Sequence, residues 1–181
     1  MGHANKDEFL PVNIAILTIS DSRTLEDDRS GDTLVGRLQA DGHVLADRAI
    51  IKDEVPDIVT QLKKWIDDDN IEVVIATGGT GLTGRDVTPE AFAQVWEKEI
   101  PGFGELFRWV SYQKIKTSTI QSRACAGVAN GTYMFAVPGS PGACKDAWDD
   151  ILHDQLDIRH KPCNFVEMMP RLMEHMADTS D

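Results

Sequence analysis

Residues 73 to 91 read VVIATGGTGLTGRDVTPEA. A run of strand formers falls into Gly78, Gly79, Gly81 and Gly84, then into Arg85, Asp86 and a helix start at Thr88-Pro89-Glu90. Glycines admit positive φ and close backbone approach, so such a turn exposes successive N–H groups. Beside a helix N-terminus that concavity suits a phosphate or a carboxylate. A ligand-free strand-to-helix turn is the alternative, but two glycines suffice for that. Four glycines, with Thr77, Thr80 and Thr83 as further donors, favour the anion site.

The frame from Gly79 to Asp86 lies close to a P-loop, yet Arg85 stands where the lysine belongs and Asp86 where the magnesium-binding hydroxyl belongs. GTGLTG has the glycines of a dinucleotide fingerprint without its ribose-binding strand, so neither motif is assigned. Asp86 is the informative residue. A carboxylate beside an anion-binding turn repels phosphate unless a cation lies between, and magnesium is commonly held by one or two carboxylates plus substrate phosphates. Asp86 serves equally well as a cap for loop N–H groups, and spacing leaves both roles open. Two further stretches carry donors: TISDS (18–22), and PGSPGACKDAW (138–148) with Gly139 and Ser140 at a helix start.

The elements around these loops alternate. NIAILTIS (13–20) is a nearly unbroken apolar run, the mark of a strand buried on both faces. A helix capped by Ser30 and ended by Gly42 follows, then a weaker strand over 43–51. Val55, Ile58, Val59, Leu62, Trp65 and Ile66 fall at helical spacing, predicting a helix over 55–68 that ends in the solvated triplet Asp67 to Asp69. A third strand over 71–77 enters the glycine loop. A helix capped by Thr88 is predicted to reach about Lys98, and another spans 101–113 with Phe103, Leu106, Phe107 and Val110 inward. A fourth strand over 132–138 leads into a long helix capped by Ser140, with Ala147, Trp148, Ile151 and Leu152 as its apolar stripe. Periodicity fades from Asp157, and the tail from Arg171 reads as frayed. The order predicts one domain of α/β class: a three-layer sandwich with a mostly parallel sheet between helices. In such folds ligands bind beyond the carboxyl ends of strands, which is where Ser20-Asp21, Thr77 to Asp86 and Pro138 to Pro141 fall.

The chain has 181 residues and a net charge of −12 at pH 7. That charge, with no basic stripe, argues against a nucleic-acid partner. No apolar run is long enough to span a bilayer. The opening MGHANKDEFLPVN lacks the pattern of a secretory signal. Cys125, Cys144 and Cys163 are odd in number and far apart, which fits a reducing cytoplasm and makes a poor zinc set. His43 and His153 are read as packing or surface residues, and Cys125 and Cys144 as small buried hydrophobes.

Taken in order, TISDS, ATGGTGLTGRDVTPEA, PGFGELFR, TSTIQSRACAGVANG and AVPGSP resemble the molybdopterin-binding domain of molybdenum cofactor biosynthesis, over about residues 12 to 165. TGGTG followed by RDVTPE is the specific part. KPCNF (161–165) is similar to the protein B branch, while RDVTPE equally suits the sister adenylyltransferases. The resemblance implies a homo-oligomer of three or six subunits, with molybdopterin and ATP as ligands and Mg²⁺ assisting. The implied reaction is attack of the molybdopterin phosphate on the α-phosphate of ATP, with release of pyrophosphate. Other proteins of the cofactor pathway are possible partners. By position it assigns Asp53 and Asp86 as the functional and metal-binding carboxylates. Gly78, Gly79, Thr80 and Gly81, with Thr77 and Arg85, would hold phosphate or a pterin-side group. Ser122 and Pro138 to Ser140 would line the pocket, and Ser20, Asp21 and Asp28 would form its polar first loop. The adenylyltransferases of this family usually carry PGQP where this chain has PGSP. A non-catalytic molybdopterin carrier is the alternative function.

Overall fold

Successive side chains along each central strand point to opposite faces of a sheet, and nearly all of them are buried. A computed structural model describes residues 8–177. Its strands are β1 (Asn13–Ile19), β2 (Val44–Ile51), β3 (Val73–Thr77), β4 (Lys98–Glu99), β5 (Cys125–Ala129) and β6 (Thr132–Val137). They lie in the order β2-β1-β3-β6-β5-β4. The first four in that order are mutually parallel, and β5 and β4 extend the sheet antiparallel. The helices are α1 (Arg29–Ala40), α2 (Val55–Ile66), α3 (Thr88–Phe92), α4 (Pro101–Ile115) and α5 (Pro141–Ala147).

Ile14 and Ile16 of β1, Ile75 of β3 and Phe135 of β6 share one face with Leu34 and Leu38 of α1, Phe103 and Phe107 of α4, and Trp148. Ala15, Leu17, Val74 and Ala136 point the other way, onto Ile58, Leu62 and Trp65 of α2 and Phe92 of α3. Both faces are therefore apolar, as a doubly covered parallel sheet requires. The three-layer expectation holds.

Several local expectations do not. Asp28, not Ser30, caps α1, its carboxylate accepting from Gly31 N at 2.9 Å. Ser30 sits in the first turn and donates to Gly139 O. Thr88 is the first helical residue of α3, not its cap, and that helix ends at Phe92. The chain then turns to pair as β4, with Glu97 N bonded to Val128 O and Ile100 N to Ala126 O. Leu106 is 42% exposed and not inward. β5 was not anticipated. The long last helix is α5 continued through a π turn, Trp148–Leu152, into His153–Gln155. Arg171 closes a short 3₁₀ turn, and Glu174–Ala177 is helical where a frayed tail was expected. The rest of that expectation, residues 178–181, lies outside the described residues. Phe165, from a short turn capped by Asn164, joins the core against Tyr133 and Phe135.

Asp28 ties three elements together. It is fully buried and receives Thr18 Oγ1 at 2.6 Å and Arg48 Nη2 at 2.8 Å, from β1 and β2. Burial works to raise its pKa, but the hydrogen bonds from Arg48, Thr18 and Gly31 N outweigh it and hold the carboxyl below its ordinary 3.8. A depressed carboxyl contributes stability above its unfolded pKa, and that contribution is lost as pH falls through the folded value. Asp28→Asn is expected to destabilise the protein by about 3 kcal/mol at pH 7, because Arg48 loses a buried partner. The gap between variant and parent should close below about pH 4. Urea titrations of both proteins across that range check it.

Candidate functional site

Parallel strands put their carboxyl ends on one edge of a sheet, and the order β2-β1-β3 places a topological switch point between β1 and β3. A cleft of about 870 Å³ opens there. Its floor is built from Ile19-Ser20 after β1, Gly78 to Gly81 after β3, and Pro138 to Ser140 after β6. Phe107, Ser111 and Lys114 of α4 and Ala143 and Asp146 at α5 form one wall.

The glycine loop is held by its carbonyls. Thr88 Oγ1 donates to Gly78 O at 2.8 Å and Thr88 N to Gly79 O at 3.0 Å. Arg123 N donates to Thr80 O at 2.9 Å and Arg123 Nε to Gly81 O at 2.7 Å. A planar trans peptide points its N–H opposite its carbonyl. Fixing these four oxygens therefore turns the following amides the other way. Among the described residues, no protein acceptor meets the N–H of Gly79 or Thr80. The loop after β6 is built alike. Pro138 O accepts from Thr77 Oγ1 at 3.0 Å, and Gly139 O accepts from Ser30 Oγ at 2.9 Å and Arg23 Nη2 at 3.1 Å. The N–H groups of Gly139 and Ser140 likewise have no protein acceptor among the described residues. The cleft is thus lined by oriented amide donors, an anion-binding arrangement.

Only some of the glycines are conformationally required. Gly78 has φ +111°, and a Cβ there would stand 2.2 Å from Ile19 O. Gly79 is also left-handed, at φ +62°. Gly81 is kept small by the Asp86 carboxylate, and Gly84 has nothing near it.

Asp86 is half-buried and caps this loop. Its Oδ2 accepts from Thr83 N at 2.8 Å and Thr83 Oγ1 at 2.6 Å. The Thr83 side-chain hydrogen bond above all, with the Thr83 and Gly81 amides, holds its carboxyl below the ordinary range against the opposing effect of burial. Asp53 is the opposite case. Burial raises its carboxyl, and the nearby charges of Asp21 and Asp86 add to that. Two carboxylates in unlike environments thus flank one amide-lined floor.

Of the residues singled out in the sequence, Ser20, Asp53, Gly78 to Gly81, Arg85, Asp86, Ser122 and Pro138 to Ser140 line the cleft. Three do not. Thr77 is buried beneath the floor, 3.2 Å from Cys144 Sγ. Asp28 is the α1 cap described above. Asp21 lies outside the wall and takes Arg85 through both carboxylate oxygens, at 2.9 and 3.0 Å. Arg85 Nη1 is bound to Glu54 at 2.8 Å, so this guanidinium is committed to carboxylates. Arg23, Lys114 and Asp146 line the cleft and were not anticipated. Lys114 meets Asp146 at 2.6 Å and Asp150 at 2.9 Å. Lys114 sits one turn beyond Val110 on α4 and reads in sequence as an ordinary surface lysine.

Burial holds two thiols and one histidine in their neutral forms. Burial pushes the Cys144 thiol up to about 11 and the Cys125 thiol up to about 12. Val12 N donates to Nδ1 of buried His43, which burial keeps in its neutral form. Among the described residues no group of three or more His, Cys, Asp and Glu side chains is placed to hold a metal by itself.

Residues 15–158 match the family model described as a probable molybdopterin-binding domain. Molybdenum cofactor biosynthesis protein B of Escherichia coli K12 is 51% identical over 158 residues, covering 87% of this chain and 93% of that protein. A crystal structure of a molybdenum cofactor biosynthesis protein B superposes with a TM-score of 0.76 at 35% identity, covering 93% of this chain and 96% of the other. The tungsten cofactor synthesizing protein of Pyrococcus furiosus superposes with a TM-score of 0.71 at 31% identity, covering 80% and 92%.

The loop geometry separates two glycines. Gly78→Ala forces a side chain against the Ile19 carbonyl at positive φ and is expected to cost at least about 2 kcal/mol. Gly84→Ala meets nothing and is expected to change stability by no more than about 0.5 to 1 kcal/mol. Thermal unfolding of the two variants checks the contrast.

Proposed function

The chain belongs to the molybdopterin-binding-domain family and to the biosynthesis of the molybdenum cofactor, and on that premise we propose that it binds molybdopterin and adenylylates it with Mg-ATP. The observation that carries this reading is the pairing of Asp53 and Asp86 with a floor of amides that have no protein acceptor. Amide donors suit phosphate oxygens, and a pair of carboxylates beside them suits a hydrated cation shared with those oxygens. Asp53 fits that role: it is half-buried and crowded by two other carboxylates, a strain that a cation relieves. When held by Asp53 and Asp86, magnesium supplies neutralisation of triphosphate charge.

In the proposed reaction a phosphate oxygen of molybdopterin bonds to the α-phosphorus of ATP. The bond from that phosphorus to the α–β bridging oxygen breaks, and pyrophosphate leaves with the electron pair. The nucleophile is already anionic, so the chain needs no general base, in keeping with the protonated thiols of Cys125 and Cys144 and the neutral buried His43. Its task is positioning and electrostatics. Gly79 and Thr80 on one loop and Gly139 and Ser140 on the other offer amides to phosphate oxygens from two sides. The α4 wall, with Phe107 and Lys114, restricts how a ring system enters.

A second reading is favoured by one contact set. Asp86 already accepts from Thr83 and Gly81, so it has a complete structural role as a loop cap. On that reading the protein holds molybdopterin without turnover, for other proteins of the pathway.

We further propose a homo-oligomer of three or six subunits, on the strength of the exposed apolar side chains Trp109, Tyr112, Ile115 and Ile120. A cytoplasmic location is proposed from three free thiols. No helix among the described residues is long and apolar enough to cross a membrane.

The test is pyrophosphate release from ATP with Mg²⁺ and molybdopterin. Asp86→Asn is expected to lower turnover by about 100-fold or more, the usual cost of removing a group that stabilises transition-state charge. Undiminished turnover in that variant overturns the magnesium assignment. Wild-type protein that binds molybdopterin without releasing pyrophosphate selects the carrier reading.

A further inference from the structure

Arg123 follows Ser122 in the QSRA stretch, and its side chain reaches away from β5 to the back of the glycine loop. Nε donates to Gly81 O at 2.7 Å and Nη2 to Asp86 O at 2.6 Å. Its own backbone N takes Thr80 O at 2.9 Å. The remaining edge of the fork pairs with Glu90 on α3. One residue thus ties three loop carbonyls to a neighbouring helix. A planar guanidinium presents donors in a fixed fork, a geometry the single ammonium of lysine lacks.

We infer that Arg123 is the positioning residue of the phosphate site. It touches no ligand by this account. Its side chain holds the peptide planes at Gly81-Leu82 and Asp86-Val87 with their oxygens outward, and its backbone N does the same at Thr80-Gly81, so that the Gly81 amide meets the Asp86 carboxylate and the loop edge beside the open amides stands ready before any ligand arrives. Thr88 performs the same task for the peptides at Gly78-Gly79 and Gly79-Thr80. Glu90 compensates the guanidinium charge and fixes the orientation of the fork. The inference rests on the phosphate-binding reading of the loop, but not on turnover or on the identity of the second substrate.

The probe is therefore inorganic pyrophosphate with Mg²⁺, measured by titration calorimetry, which requires neither molybdopterin nor catalysis. Arg123→Ala is expected to weaken binding by about tenfold, the loss of one to two charge-assisted hydrogen bonds of loop ordering. Arg123→Lys keeps the charge and loses the fork. It is expected to fall between the two, by about threefold, and it carries the test if the alanine variant does not fold. Free guanidinium at low concentration is expected to restore part of the binding of Arg123→Ala but not to improve the wild type. Wild-type affinity in Arg123→Lys means that charge, not positioning, is what matters, and overturns the inference. So does a loss in Arg123→Ala that guanidinium leaves unchanged. Wild-type protein that binds no pyrophosphate overturns the phosphate-loop reading as well. Normal binding in Arg123→Ala overturns the role of Arg123 alone.

Discussion

Everything at the cleft depends on where six carbonyl oxygens point, those of Gly78, Gly79, Thr80, Gly81, Pro138 and Gly139. A strand end offers amides and carbonyls alternately, and an anion sees both. This protein removes the carbonyls from view by giving each a donor of its own. Thr88 and Arg123 serve the loop after β3. Thr77, Ser30 and Arg23 serve the loop after β6. These donors lie up to 116 positions away in the chain. The site is therefore a property of the assembled sheet and not of the glycine-rich segment.

The same economy bears on the charge of the cleft in an acidic protein. The cationic side chains near the cleft are largely compensated. Arg85 is bound by Asp21 and Glu54, Arg123 by Glu90, and Lys114 by Asp146 and Asp150. What remains for a ligand is mostly oriented dipole. Fixed dipoles need no reorganisation when charge appears beside them, which is the physical advantage of a backbone-built site.

Much of this was legible in the amino-acid sequence. The nearly unbroken apolar run at 13–20 and the strand formers over 71–77 placed two of the buried parallel strands, and the loops at their ends and after β6 are the chemistry-bearing ones. What failed has local causes. β5 reads CAGVA, small residues with weak strand preference, yet Asn130-Gly131 after it carried a readable hairpin signal, both residues being at positive φ. α3 stops early because Glu97 and Ile100 are drawn into edge pairing by β5, a tertiary effect invisible in a window. Asp28 and Thr77 were placed in the pocket by position in a motif, whereas each supports it from beneath. Arg123 was passed over for Ser122 because nothing in QSRA says which carbonyls a guanidinium will find.

One feature of the strand order reaches back to synthesis. β6 pairs directly with β3, and Gly139 packs so close to Gly78 that a Cβ on it would lie 3.2 Å from the Gly78 Cα. The second amide loop and the floor beside the first exist only when the hairpin of β5 and β6 has closed onto the sheet. A nascent chain that has emerged only as far as α4 possesses the whole glycine-rich segment but neither Arg123 nor the loop after β6. Such a chain lacks half of the amide-lined cleft. The cleft is in this way completed only once β6 has joined β3.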